Sequence, residues 1–424
     1  LRYKKYIGMA VSEIPSPFDK KKTYARYFEE EMENSIKDLG FNIEFIQQHK
    51  MFKKCAYAEH TKFALNNKKK IIGVLNKYRR EPLKEDWWPV FVYCEKCKKD
   101  TTKVLEYDGK YNISYECDCG YSNKIDFRKK GIVKVTWRVD WPMRWDYEKV
   151  DFESGGKDHF AAGGSWTSSH ELSEKIKWNS PWGFGYEWIA VKGGGEFSSS
   201  KGVVVTVKDV LEIYEPGIVR FLFAGSRPGT GFNIAFDLDV LKIYEDFDYC
   251  ERVYFEKEKV GVKEFQKQKR IYELSCVDLS KKIPDKLGFR HLTVLTQIYE
   301  GDLSKFKGKN KIRAKCAWNW IQKYAPDDMK FKVHDKISAE INKLLNSKQK
   351  KALKLLEKKL DKKYTDQSLF EEFYKICKEV DIKNTEFFQG AYLALIGKKR
   401  GPKLANFILV LGKPRVKKLL NQIK

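Results

Sequence analysis

The spacing of apolar residues predicts alternating helices and strands at the start of the chain. Between residues 23 and 39 apolar side chains recur every three or four positions, which predicts a helix that Gly40 can end in a left-handed conformation. Residues 41–45 alternate and predict a strand, and a second helix is expected over about 63–78. A helix followed by a strand is the order that an α/β domain gives.

The pattern changes between residues 90 and 130. Short alternating segments at 91–93 and 111–115 predict strands, and Asp108-Gly109 between them is a strong hairpin-turn signal. This stretch is therefore expected to be a small inserted β module.

The α/β pattern returns at Ile132. Strands are predicted at 132–137, 188–191 and 203–207. Asp209 is expected to cap a helix that runs to Phe223 and is broken or kinked at Pro216-Gly217. From about residue 238 the pattern is helical and rich in lysine.

Length and charge limit the possible architectures and partners. A chain of 424 residues is expected to form two to four domains, and it contains no run of eighteen apolar residues that would predict a membrane span. The net charge of +25 favours a nucleic-acid partner over a general codon bias toward lysine, which is the competing explanation.

The nine cysteines fall into two groups. Five are scattered singly, which indicates a reducing, cytoplasmic location. The other four form Cys94-x-x-Cys97 and Cys117-x-Cys119, and four thiolates at this spacing predict a structural zinc site rather than free thiols. The second pair is one residue shorter than the usual motif, so an incomplete or degenerate site stays open.

Candidate chemistry is concentrated between residues 137 and 202. Three Trp, two Arg and one Asp within residues 137–145 predict a lined pocket that receives a charged ligand. The loop at 193–202 offers backbone N–H groups, serines and a lysine to a polyphosphate, although a flexible linker explains its composition equally well. His159 has glycines on both sides, and a structural and a functional role are equally supported.

Together these segments resemble the class I lysyl-tRNA synthetases, the archaeal-type family. The resemblance covers essentially the whole chain. It rests on the runs Trp137-Arg-Val-Asp-Trp-Pro-Met-Arg-Trp145, Val150-Asp-Phe-Glu153, Gly156-Lys-Asp-His159, residues 211–220 around Glu215-Pro-Gly217, Lys323-Tyr-Ala-Pro-Asp-Asp328 and Gly397-Lys-Lys-Arg-Gly-Pro-Lys403.

The resemblance implies an α/β plus all-α fold. The expected parts are a partial Rossmann-type catalytic domain (1–89 and 131–237, the second half with a KMSKS-like loop), an inserted zinc-ribbon-like β module (90–130), a helical stem-contact region (238–305) and a helical anticodon-binding domain (306–424). The implied activity is ATP-dependent activation of lysine, with Mg²⁺, and transfer to tRNA(Lys) by a monomeric lysine–tRNA ligase.

The resemblance also assigns site residues. Trp137, His159 and Tyr186 match the lysine pocket. Asp140 and Asp158 are acids nearby in the sequence, and either could balance the ammonium charge. ATP is assigned to Gly156, Asp158, Lys192 and Lys201, and Asp158 could instead face the ribose. The KMSKS-like loop supplies Ser198, Ser199, Ser200 and Lys201 as catalytic residues. Among the C-terminal aromatics, Trp318, Trp320, Phe387, Phe388 and Tyr392 are candidates for stacking on anticodon bases, although core packing explains most of them better.

Two departures from the family pattern keep other functions open. The HIGH-like motif is expected upstream of Leu1, so the chain is expected to be N-terminally truncated, and Glu196-Phe197 stands where the KMSKS loop normally begins Lys-Met. A catalytically impaired tRNA-binding relative is therefore the alternative. A generic zinc-ribbon nucleic-acid binder would explain the cysteines and the charge but not the Trp-rich block.

Overall fold

The fold is known from a computed structural model that describes residues 3–193, the short strand at 195–196, and residues 205–424. Its contacts divide the chain into two compact units. Unit 1 comprises Leu1–Ala190 and Ser226–Asn233, and unit 2 comprises Val191–Gly225 and Ile234–Lys424. No helix among the described residues is long and apolar enough to cross a membrane.

Unit 1 mixes helices and strands. Its helices are α1 (Tyr24–Asp38), α2 (Gln48–Lys53), α3 (Ala58–Asn66), α4 (Lys68–Leu75), α5 (Trp137–Glu148), α6 (Lys157–Phe160) and α7 (Ser165–Ile176). The strands within it are β1 (Val90–Val92), β2 (Thr102–Tyr107), β3 (Asn112–Cys117), β4 (Ser122–Asp126), β5 (Val133–Val135), β6 (Gly155–Gly156) and β7 (Gly185–Tyr186). The chain passes between the units three times: within β8 (Ile189–Val191), after Gly225, and within β10 (Phe232–Ile234). Strand β9 is Gly195–Glu196.

Unit 2 is almost entirely helical. Its helices are α8 (Val207–Ile213), α9 (Pro216–Ala224), α10 (Asp239–Tyr254), α11 (Val262–Ser275), α12 (Phe289–Ile298), α13 (Lys309–Lys323), α14 (Ala339–Leu344), α15 (Ser347–Lys359), α16 (Asp366–Val380), α17 (Asn384–Ile396), α18 (Leu404–Leu411) and α19 (Lys413–Leu420). One apolar core joins the helices from α15 to α19, and Leu353, Phe373 and Phe407 are buried in it. The helical character predicted from residue 238 onward is confirmed.

The predicted β character and the turn at Asp108-Gly109 are confirmed, but that turn joins β3 to β2, which the sequence did not predict, and the strand predicted at 91–93 pairs outside this hairpin. Strands β2, β3 and β4 form an antiparallel sheet in that order, and Gly109 takes a φ of 77° in the turn between β2 and β3. Strand β1 pairs antiparallel with β5, with Val90 opposite Val135. The module thus leaves and rejoins the rest of unit 1 through two adjacent strands.

The first predicted helix is confirmed, but the strand predicted after it is wrong. Thr23 accepts a hydrogen bond from the Arg26 N–H at the start of α1, and Gly40 has a φ of 82° after its end. Residues 41–47 form no strand. Phe41 and Ile43 are exposed, and an alternating segment becomes a strand only where a neighbour accepts its backbone hydrogen bonds.

Two further boundaries differ from the sequence prediction. The helix predicted over 63–78 is divided into α3, α4 and a short 3₁₀ turn. Val207 lies in α8 rather than in a strand, and the cap of α8 is Thr206, whose hydroxyl accepts from the Asp209 N–H while the Asp209 carboxylate accepts from Thr206. Asp209 is therefore the third residue of the helix. The predicted break at Pro216 is confirmed, since Pro216 begins α9.

Candidate active site and metal centre

Helix α5 turns the Trp-rich block into an aromatic wall. Thr136 keeps the extended backbone of β5, and the helix begins at Trp137. Its tryptophans are four residues apart, so they project from one face. The rings of Trp137 and Trp141 stack with centroids 5.5 Å apart and 13° between their planes, and Trp145 follows 5.1 Å from Trp141.

Glu153 holds this wall in place. Its Oε1 accepts the indole N–H of Trp141 at 3.0 Å, and its Oε2 accepts the indole N–H of Trp145. Two buried indole N–H groups are satisfied by one carboxylate, which fixes the orientation of both rings. Reasoning from sequence did not select Glu153 as a site residue. The available signal was its place in the matched run Val150-Asp-Phe-Glu153.

Paired glycines form the opposite side of the site. Gly155 and Gly156 in β6 pair in parallel with Gly185 and Tyr186 in β7. A Cβ atom on Gly155 would come within 3.0 Å of the Phe160 ring, so close packing explains glycine there. This short ladder places the four-residue helix α6, which carries His159, beside Tyr186.

His159 is oriented by two neighbours. Its Nδ1 lies 2.6 Å from the Ser165 hydroxyl, and its ring meets Trp141 with centroids 5.3 Å apart in a T-shaped arrangement. The hydroxyl can donate to or accept from Nδ1, so the other ring nitrogen keeps its capacity for a ligand.

A cleft of about 430 Å³ lies between the aromatic wall and the glycine ladder. It brings together five residues that the sequence assigned to substrate: Trp137, Gly156, Asp158, His159 and Tyr186. It is also lined by residues that the sequence did not assign: Trp141, Arg144, Glu153, Ser154, Gly155 and Trp188. The cleft thus combines apolar ring faces, two carboxylates and one arginine.

Asp140 is not among the residues that line the cleft. Its side chain is buried, and its Oδ2 lies 3.1 Å from Nε of Arg144, which does line it. Burial raises the pKa of the Asp140 carboxyl, although the charge of Arg144 opposes this shift. Asp140 is therefore placed to hold Arg144.

The residues assigned to ATP belong to both units of the chain. Gly156 and Asp158 lie in the cleft of unit 1, whereas Lys192 belongs to unit 2. There the Lys192 ammonium lies 2.8 Å from Asp237 and also pairs with Asp239, and hydrogen bonds to these two carboxylates raise its pKa. Ser198, Ser199, Ser200 and Lys201 lie outside the described residues.

The four clustered cysteines converge on one point. The Sγ atoms of Cys94, Cys97, Cys117 and Cys119 all lie within 4.8 Å of one another, with 3.7 Å between Cys94 and Cys119 and 3.5 Å between Cys97 and Cys117. Four soft thiolate donors at this separation suit a closed tetrahedral metal shell. The one-residue spacing of the second pair is accommodated because Gly120 turns back with a φ of 79°.

Most of the candidate anticodon-reading aromatics are packed inside unit 2. Trp320 and Phe387 are fully buried, and the Trp320 indole N–H donates to the Phe236 carbonyl at 2.9 Å. Tyr392 is also buried, whereas Trp318 and Phe388 are partly exposed. Core packing accounts for the first three.

Comparison with known proteins identifies a family for most of the chain. Residues 2–278 match the family model of tRNA synthetases class I (K), and residues 324–423 match an anticodon binding domain. The chain is 43% identical to a lysine–tRNA ligase of Borreliella burgdorferi over 98% of this chain and 83% of that protein. It is 34% identical to a lysine–tRNA ligase of Pyrococcus horikoshii over 99% and 84%.

Among solved structures, a glutamate tRNA ligase of Elizabethkingia meningosepticum in complex with its amino acid aligns with a TM-score of 0.44 at 10% identity. That alignment covers 93% of this chain and 89% of the other. It is too weak to place any residue of the cleft. The family match confirms the predicted fold class, a class I synthetase catalytic domain followed by a helical anticodon-binding domain.

Proposed function

The chain belongs to the class I tRNA synthetases of the K type, and from this premise we propose that it is a lysine–tRNA ligase. The observation that best supports this proposal is the cleft that Trp137, His159 and Tyr186 line together. The reaction proposed is activation of lysine by ATP to lysyl-adenylate, followed by transfer of lysine to the 3′ end of tRNA(Lys).

Lysine fits the chemistry of this cleft. The stacked rings of Trp137 and Trp141 offer an apolar surface to the four-carbon stem of lysine. An ammonium group is attracted to aromatic faces and to carboxylates, and the carboxylates that line the cleft are Glu153 and Asp158. In this proposal Asp140 contributes through Arg144 rather than by direct contact.

The first step requires positioning and charge stabilisation. A carboxylate oxygen of lysine attacks the α-phosphorus of ATP, the bond to the β-phosphate oxygen breaks, and pyrophosphate leaves with the electron pair. We assign Gly156 and Asp158 to the nucleotide. Lys192, Ser198, Ser199, Ser200 and Lys201 are assigned to the phosphates, with Mg²⁺ carried on the triphosphate.

The second step consumes the adenylate. A ribose hydroxyl at the 3′ end of tRNA attacks the carbonyl carbon of lysyl-adenylate, the carbon–oxygen bond to AMP breaks, and AMP leaves as the hydroxyl proton is lost. The match of residues 324–423 to an anticodon binding domain supports tRNA as the acceptor. Because tRNA charging serves translation, we place the protein in the cytoplasm, where its nine cysteines, none of which forms a disulfide, would stay reduced.

We also propose that zinc fills the cysteine cluster. The donor set fits this metal, since four thiolates leave no open position for a substrate. The bound ion would supply folding energy to the β module, and Cys94, Cys97, Cys117 and Cys119 would hold it.

The decisive test is lysine-dependent ATP–pyrophosphate exchange by the purified protein, together with quenching of tryptophan fluorescence by lysine. Exchange with lysine, and not with arginine or norleucine, is the expected result, because only lysine offers both the stem and a compact ammonium. Exchange with another amino acid alone would overturn the proposal.

A second candidate function is a tRNA-binding relative without catalysis. Glu196 favours it, since an acid where the family loop normally has lysine would repel the triphosphate. Tight binding of tRNA(Lys) and lysine with no exchange would support this candidate over the ligase.

A further inference from the structure

A second cavity of unit 1 shares Trp137 with the lysine cleft. Its volume is about 590 Å³, and it is lined by Arg79, Arg80, Glu81 and Trp87 on one side and by Trp137 and Arg138 on the other. None of the chemistry described above uses this cavity. Three arginines against one carboxylate give it an excess of positive charge.

Two of these arginines form hydrogen bonds to neutral groups. Arg79 donates from Nε to the backbone carbonyl of Glu81 at 3.2 Å, and Arg138 donates from Nη1 to the Ser168 hydroxyl at 2.7 Å. Both partners are neutral. In the part of the chain that the structure describes, Arg79, Arg80 and Arg138 form no ion pair, in contrast to Arg144 beside Asp140.

The cavity also offers aromatic surface. Trp137 is 53% exposed although it stacks on Trp141, and Trp87 is partly exposed. Bases of any identity stack on such rings, because every base has an aromatic face. Arginines beside exposed indole rings are the combination that binds single-stranded nucleic acid.

The segment that carries two of the arginines is held in place. The Leu83 N–H donates to Oδ1 of Asn76 at 2.8 Å, which closes the loop between the end of α4 and the β module. Tyr78 donates its hydroxyl to Glu171 of α7. Arg79 and Arg80 therefore project from a loop that is anchored at both ends.

We propose that this cavity binds the unpaired 3′ end of tRNA, with phosphates on Arg79, Arg80 and Arg138 and a base on Trp87 or Trp137. The proposal rests on the proposed function, which makes tRNA a substrate. Because Trp137 borders both cavities, a terminal nucleotide held here lies next to the lysine that it must accept.

The test compares tRNA(Lys) with the same tRNA trimmed of its last three nucleotides. Affinity is measured over a range of salt concentrations for the wild type and for the double variant Arg79→Gln/Arg80→Gln. Lys20→Gln/Lys21→Gln is the matched control, since Lys20 and Lys21 are also adjacent, exposed cations without an ion pair among the described residues. Filter binding needs no catalysis, so the measurement does not depend on activity.

Each single-strand phosphate contact contributes about 0.7 to the slope of log affinity against log salt. The Arg79/Arg80 variant is expected to lose about 1.4 of that slope on intact tRNA and none on trimmed tRNA, and the control is expected to lose the same small amount on both. An equal loss of slope on both tRNAs would mean that the arginines contact another part of the tRNA, and this would overturn the proposal. No loss of slope on either tRNA would also overturn it.

A free nucleotide is the competing occupant. If saturating ATP abolishes the difference between intact and trimmed tRNA in the wild type, the cavity is a mononucleotide site and the proposal fails. If the wild type does not bind intact tRNA at all, the proposed function itself fails. If the wild type binds intact and trimmed tRNA equally well, only the 3′-end proposal fails.

Discussion

The carboxylate of Glu153 accepts the indole N–H of Trp141 at 3.0 Å, and this bond connects the wall of the lysine cleft to the loop after α5. The same carboxylate also accepts the N–H of Trp145. One acid therefore orients two rings and adds negative charge to the cleft that is proposed to bind a cation.

Glu153→Gln should weaken lysine binding. Glutamine keeps one acceptor oxygen but turns its amide N–H groups toward the second indole N–H, and it removes from the cleft a negative charge whose interaction with the lysine ammonium would contribute about 1.5 kcal/mol. We expect the lysine KM in ATP–pyrophosphate exchange to rise roughly tenfold while the ATP KM changes little. Glu174→Gln on the exposed face of α7 is the control, and an equal rise in both KM values would remove Glu153 from this role.

His159 and Ser165 should act as one unit. His159→Ala is expected to raise the lysine KM, and Ser165→Ala should give a smaller rise because it only releases Nδ1 of the histidine. Since the serine acts through the ring, the double variant should be no worse than His159→Ala alone. Additive effects in exchange kinetics would mean that Ser165 contacts the substrate independently.

The zinc proposal predicts one bound zinc per chain. Cys94→Ser/Cys97→Ser should abolish zinc in elemental analysis and lower the melting temperature, because a structural zinc site contributes about 10–16 kcal/mol to folding of its module. Cys55 is a cysteine outside the cluster, so Cys55→Ser should retain the metal. Wild-type protein that contains no zinc after purification without chelator would contradict the proposal.

Asp140 should make stability depend on pH in an identifiable way. Burial raises its folded-state pKa above the ordinary value of 3.8, so the folded state binds the proton more tightly than the unfolded state. The stabilisation from this group is complete below pH 3.8 and is lost as pH rises through the folded-state pKa. Asp140→Asn should therefore gain stability relative to the wild type as pH rises from about 3 through that window. Urea unfolding at several pH values measures this, and a difference that stays constant or shrinks would contradict it.

Local sequence patterns predicted much of the secondary structure. The helix end at Gly40, the hairpin turn at Asp108-Gly109 and the break at Pro216 depend on a few neighbouring residues, and the structure contains all three. The segment 41–45 was mispredicted because alternation is a necessary but insufficient condition for a strand. A strand also needs a partner, and a partner is distant in sequence.

In the candidate site, too, the sequence predicted some features, whereas others depend on contacts between distant residues. Trp137, His159 and Tyr186 were selected from motifs, and they line one cleft. Asp140 was selected from its proximity in sequence to Trp137, but the helical turn of α5 directs it into the interior, where it meets Arg144. Glu153 and Arg144 could not be ranked above other polar residues without the distances between side chains.

By itself, the sequence determined the family, the order of the domains, the four-cysteine cluster and the aromatic composition of the pocket, because these are recorded in residue type and spacing. Only the tertiary structure decided which carboxylates face the cleft and which arginines have no acidic partner among the described residues. Those properties depend on contacts between residues far apart in the chain, such as Arg138 with Ser168, and the spacing of residues along one segment does not encode them.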